Sequence, residues 1–188
     1  MKRERRLLWV LVTLSLLLLP MTQGCAPTAQ TVVPGGPGSS PPVITHWFAA
    51  DKGIYGSAWQ IYLEAEDPDG DMARIAAVVT QVGYGYYPTN WTNLSGTDGK
   101  SLKGYLQWNT FSSEAGHMPE WTQITVAVTV IDRSGNQSNE AVFPFTFESG
   151  VGGGAVSALP PPFNQGENKR LGWIQTNLKN PNAGASGR

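Results

Sequence analysis

Four carboxylates fall within eight residues at 65–72, AEDPDGDM: Glu66, Asp67, Asp69 and Asp71, set around Pro68 and Gly70. Carboxylates at alternate positions are a common way to hold a hard divalent cation, and calcium asks for about six to eight oxygens. A helix–loop–helix calcium loop starting at Asp67 would place Asp69 and Asp71 correctly. Met72 then stands where that loop needs its glycine, and Val78 where it needs a bidentate glutamate, so the motif is excluded. The same residues also make a tight turn without an ion: proline fixes φ, aspartate caps the backbone and Gly70 accepts a positive φ. The turn is the preferred reading, with calcium kept beside it and no other cofactor expected. A second constellation is VGYGYYPTNW (82–91), where Tyr84, Tyr86, Tyr87 and Trp91 crowd a Gly- and Asn-bearing stretch. Such rings form a stacking platform for sugars or peptide, or pack inward over a sheet edge, and packing is preferred. Catalysis has little support. His46 and His117 are the only histidines, neither HExxH nor GxSxG occurs, and nothing near His117 singles out Ser112 or Ser113 as a nucleophile. No catalytic residue is assigned, and an enzyme is not expected.

These residues must be positioned by strands. SAWQIYLEA (57–65) alternates Trp59, Ile61, Leu63 and Ala65 against Gln60, Tyr62 and Glu64, which predicts one buried and one wet face. QITVAVTVI (123–131) points Ile124, Val126, Val128 and Val130 inward, and AVFPFTFE (141–148) does so with Phe143, Phe145 and Phe147. Pro144 cannot donate to a ladder, so the last strand belongs at an edge or carries a bulge there. Further strands are expected at 43–49, 73–82 and 102–110, with turns at 67–71, 96–100 and 132–136. About seven short strands and no sustained helical period over 43–149 predict an all-β antiparallel sandwich with Trp59 at its centre.

Two stretches, YLEAEDPDGDMARI (62–75) and ITVAVTVIDRSGNQSNEAVFPFTF (124–147), resemble the bacterial immunoglobulin-like family, which includes PKD-like, cadherin-like and fibronectin-III-like modules. The resemblance covers 43–149. It implies that the 67–71 and 132–136 loops share one end of the sandwich, where Asp132 would join Glu66, Asp67, Asp69 and Asp71 in any calcium site. It is nearly silent on ligand, because this fold hosts many functions.

The first 24 residues read as an export signal: Lys2, Arg3, Arg5 and Arg6 precede an apolar run from Leu7 to Leu19. Met21-Thr22-Gln23-Gly24-Cys25 then places the sole cysteine directly after that run. This resembles the lipobox of bacterial lipoproteins, departing from it at Thr22 and Gln23, and implies cleavage before a lipidated Cys25 that carries palmitate. Ala26 resembles lipoproteins sorted to the outer membrane. With one cysteine, no disulfide within the chain is available, and cysteine-ligated zinc is excluded once Cys25 carries lipid. Residues 26–42, APTAQTVVPGGPGSSPP, form a Pro/Gly/Ser linker that spans on the order of 20–25 Å as a coil.

Beyond Gly150 the alternation fades, so 150–188 is expected to be a largely disordered Gly/Pro-rich tail. Leu171, Ile174 and Leu178 are spaced for a short helix over 168–179. The net charge of −1 gives no footprint for nucleic acid. The functional expectation is a membrane-anchored envelope lipoprotein, facing the periplasm or the surface, whose non-catalytic module holds a protein partner or plays a structural role. A carbohydrate-binding module using Tyr84, Tyr86, Tyr87 and Trp91 is the alternative, and a lipoprotein hydrolase a distant third.

Overall fold

The computed structural model describes residues 40–149 and 158–180. The expected signal, Cys25 and most of the linker lie outside the described residues, as do 150–157 and 181–188. Ten strands are described: β1 (Val43–Ala49), β2 (Lys52–Gly53), β3 (Ala58–Glu66), β4 (Met72–Gln81), β5 (Gly85–Tyr86), β6 (Asn90–Asn93), β7 (Ser101–Asn109), β8 (Gln123–Asp132), β9 (Ala141–Phe147) and β10 (Lys169–Ile174). One sheet runs β1-β3-β7-β10; the other runs β2-β9-β8-β4-β5, with β6 also paired to β4. The long strands β3, β4, β7 and β8 alternate between the sheets and β8–β9 closes a hairpin, which is the Greek-key arrangement of an immunoglobulin-like sandwich.

The period-two pattern sets the core. Trp59, Ile61 and Leu63 of β3 and Leu102, Leu106 and Trp108 of β7 face Ile75 and Val79 of β4, the four aliphatics of β8 and the three phenylalanines of β9. Trp59 lies 4.5 Å, centroid to centroid, from Phe145, at the centre the sequence predicts. Its indole N–H is satisfied by the Ala50 carbonyl at 2.9 Å. Pro144 sits beyond the reach of β2, which pairs only with Thr146 and Phe147, so its missing donor falls on an open edge.

The C-terminal stretch corrects the expectation of a tail with a short helix at 168–179. β10 is a strand, parallel to β7 with Lys169 opposite Gly104 and Ile174 opposite Trp108. It occupies the edge that strand D takes in a seven-stranded immunoglobulin domain. Ile174, Thr176 and Leu178 point inward while Trp173, Gln175 and Asn177 are exposed, so the period is two, not 3.6. An isolated helix this short has few partners in water, whereas the open edge of β7 offers a full ladder. The sandwich therefore does not end at Ser149. Phe163, Ile174 and Leu178 are all buried. Tyr62, expected on a wet face, is covered by Phe163 at 5.5 Å and Tyr105 at 5.5 Å.

Two glycines admit this strap. A Cβ on Gly104 would lie 2.9 Å from Leu171 Cγ, and nearer still to the Lys169 carbonyl oxygen. A Cβ on Gly172 would meet Thr92 of β6 at 2.5 Å from Cγ2 and 3.0 Å from Cβ, with Oγ1 closer again.

Candidate functional site

The acidic loops meet as the resemblance implies: Met72 pairs with Asp132, and the Arg133 N–H donates to the Asp71 carbonyl at 3.1 Å. Their carboxylates are engaged with the turns themselves. Asp67 is buried, accepting the Asp69 N–H at 3.0 Å and the Asp71 N–H at 3.3 Å. Gly70 takes φ +76°. Asp132 accepts the Asn136 N–H at 2.8 Å and its side-chain amide at 2.7 Å. Asp69 Oδ2 accepts the Ser40 N–H at 2.5 Å, and Glu66 is exposed at the end of β3. Among the described residues no group of three or more acids, histidines or cysteines is arranged to hold a metal ion. The geometry is that of paired Asx turns. Burial first, then a hydrogen bond with Asp67 and the charges of Asp132, Asp67 and Asp69, push the Asp71 carboxyl above the ordinary carboxylate range. Its Oδ1 is a buried oxygen with no partner among the described residues.

The two histidines lie apart on exposed positions, His46 on β1 beside Glu64 at 2.9 Å and His117 in the 110–122 loop. Ser112 Oγ donates to the Leu178 carbonyl at 2.7 Å, so it ties down the strap and faces no base.

The aromatic stretch divides. Tyr87 is buried: its hydroxyl donates to Gln81 and accepts the Lys179 N–H at 2.8 Å, and its ring stacks on Tyr84 at 4.7 Å. Tyr86 is 80% exposed and does not line the groove that Tyr84, Tyr87 and Trp91 border. Tyr84 and Trp91, about half exposed, line a groove of about 710 Å³ whose opposite wall is the C-terminal strap. Trp173, Gln175, Asn177 and Lys179 supply that wall. Sequence reasoning missed all four. The signal was present in the alternation from Trp173 to Leu178, but the helix-compatible spacing of Leu171, Ile174 and Leu178 masked it.

The strap backbone is pinned at five points along 175–179. The Gln175 N–H donates to Asn90 Oδ1 at 2.8 Å, and the Thr176 carbonyl accepts the Trp108 indole N–H at 3.1 Å. The Leu178 carbonyl takes Ser112, and the Lys179 carbonyl takes Gln81 Nε2 at 2.7 Å. Asn90 also donates to Thr176 Oγ1 at 2.8 Å, so one amide bridges the two walls.

Two cations hold the indoles. The Arg74 guanidinium lies 4.4 Å from the Trp91 ring centroid and that of Arg170 lies 4.3 Å from Trp173. The remaining charges of the groove, Glu114 and Lys179, pair with each other. What is left for a ligand is a set of indole and phenol surfaces among neutral amides and hydroxyls.

No protein family matches the chain, and no curated protein matches it. Among solved structures it is similar to the PKD domain of a peptidase from a Thermoplasmatales archaeon, at 16% identity over 58% of this chain and 98% of that one, with a TM-score of 0.37. It is also similar to the CARDB domain of a Pyrococcus furiosus protein, solved in complex with di-metal ions, at 8% identity over 58% of this chain and 90% of that one, with a TM-score of 0.34. Both likenesses concern the fold alone, and the immunoglobulin-like sandwich described above stands on its own strand order.

Proposed function

We propose that the chain is an exported lipoprotein, tethered to a bacterial outer membrane through lipid on Cys25, whose immunoglobulin-like module is a non-catalytic reader of saccharide. The tether rests on the basic start, the apolar run and the sole cysteine after it. The described chain enters at the acidic end, where Ser40 bonds Asp69, while the groove runs along the flank toward the opposite end, where Tyr84 and Lys179 lie.

The observation that carries the ligand class is the groove's chemistry. An added peptide strand reads free backbone N–H and C=O groups, and five of the ten along 175–179 are already taken, by Asn90, Trp108, Ser112, Gln81 and Tyr87. The outward side chains of the same stretch are the surface a ligand meets without displacing those bonds. Rings beside neutral amides suit a ligand with apolar faces and many hydroxyls, which is a sugar. Saccharide is preferred here over the protein partner that the sequence favours.

The protein-partner reading retains one observation of its own. Ile54, Phe111 and Trp121 are exposed at the end remote from Ser40, with Trp121 held at φ +64°.

Co-sedimentation of the Cys25→Ser protein with insoluble chitin, cellulose and purified cell-wall sacculi tests the reading. Retention on at least one, lost in Trp91→Ala and Trp173→Ala and kept in Tyr86→Ala, is the expected result. Equal behaviour of all four proteins would refute it. Palmitate labelling of wild type against Cys25→Ser tests the tether separately.

A further inference from the structure

The groove does not stop at Trp173. On the other side of the strap lies a second cleft of about 360 Å³, to which Trp108, Asn109 and Phe111 contribute. Trp173, Gln175, Thr176 and Asn177 line both clefts. The strap is thus a ridge between two troughs, and its outward side chains belong to each.

We propose that the two clefts act as one extended site that takes the interior of a neutral sugar polymer, with the chain crossing the Trp173–Gln175–Asn177 ridge from Trp91 to Phe111. This rests on the saccharide reading and adds to it the length of ligand and three residues, Gln175, Asn177 and Phe111. Three features point the same way. The exposed residues at 173, 175 and 177 are spaced as alternate positions of an extended strand, which lays one ring and two amides in a row. No hydrogen bond among the described residues engages the Gln175 or Asn177 side-chain amides, whereas the backbone beneath them is tied down. The backbone of a ridge held this way is ordered before the ligand arrives, so little loop entropy is lost on binding. Finally, Phe111 is 56% exposed at the far side of the ridge, where a further sugar ring would need a surface.

The test is a length series. The Cys25→Ser protein is titrated with the dimer, tetramer and hexamer of chito-, cello- and xylo-oligosaccharides, followed by calorimetry. In the series that binds, the hexamer should bind at least about tenfold more tightly than the dimer, a difference of about 1.4 kcal/mol. Phe111→Ala should weaken the hexamer by about fivefold and leave the dimer within about twofold, while Trp173→Ala weakens both. Phe111 lies at the surface, so an unchanged melting temperature verifies that its variant is folded. Equal affinity for dimer and hexamer, with Trp91→Ala weakening both, would keep the saccharide reading and overturn the extended site. No binding in any of the three series would overturn the extended site, and retention on sacculi would then decide the saccharide reading.

Discussion

Gly172→Ala is the sharpest perturbation of the groove, because one methyl group decides whether strap and loop can touch. The added Cβ would lie within 3.0 Å of three Thr92 atoms. Threonine is branched at Cβ, so rotation about χ1 swaps one heavy branch for the other and does not clear the space. Either β10 shifts away from β6 or Thr92 is driven off its rotamer. Overpacking of this kind costs about 1–3 kcal/mol. For a domain of this size each kcal/mol moves Tm by about 3–5 °C, so the expected loss is on the order of 3–15 °C. Thermal melts followed by circular dichroism would measure it. Thr92→Gly removes every atom responsible, so the double variant should recover most of what Gly172→Ala loses relative to Thr92→Gly alone. Gly96, whose Cβ would meet nothing within 4 Å, supplies the control Gly96→Ala. A Gly172→Ala protein melting within about 1 °C of wild type would refute the close approach of strap and loop.

Asp71→Asn should raise Tm at neutral pH. The native carboxyl titrates above its ordinary value, so the folded state binds the extra proton and wild-type stability falls as pH rises through that window. The gain should vanish below the ordinary value of 3.8, and a lower Tm at neutral pH would contradict it. A calcium-specific rise in wild-type Tm that Asp71→Asn abolishes would instead restore an ion to this loop pair. Lys169→Met should destabilise the strap and alter the acid limb. Burial alone would raise Asp98, but hydrogen bonds from Lys169 and Ser95 and the Lys169 charge outweigh it and hold the carboxyl below 3.8. That contribution is present above 3.8 and lost as pH falls through the folded value, so wild type and variant should converge in acid when melted across pH. Leu178→Ala, at a residue with no exposed surface, should cost about 2–5 kcal/mol in urea unfolding, and a neutral result would mean that the segment after β10 is not docked.

The sandwich was legible because its main strands carry strict alternation: Trp59 to Ala65, Ile124 to Val130 and Phe143 to Phe147 each put every second residue in the core. The paired acidic turns were legible too, since Asp-Pro-Asp-Gly and Asp-Arg-Ser-Gly-Asn state their own geometry. The strap was not. Its inward face includes a threonine, Gly172 interrupts the pattern, and its partner Gly104 lies far away in sequence, so no local signal marks the register. The groove was half legible for the same reason. Tyr84 and Trp91 stand in a conspicuous run, but the fate of Tyr87 depends on Gln81 and on the Lys179 backbone, which only the fold brings together.

The parallel pairing of β10 with β7 also sets an order of events. Lys169 meets Gly104 across 64 intervening residues, so this contact forms only after the nine preceding strands are available. A chain lacking its last twenty or so residues would hold the other nine strands yet present β7 as a bare edge, with unpaired donors and acceptors open to strands of other molecules. It would also lack one whole wall of the groove. Residues 169–179 thus complete both the sheet and the groove, and a molecule clipped before them would reveal itself by a tendency to associate.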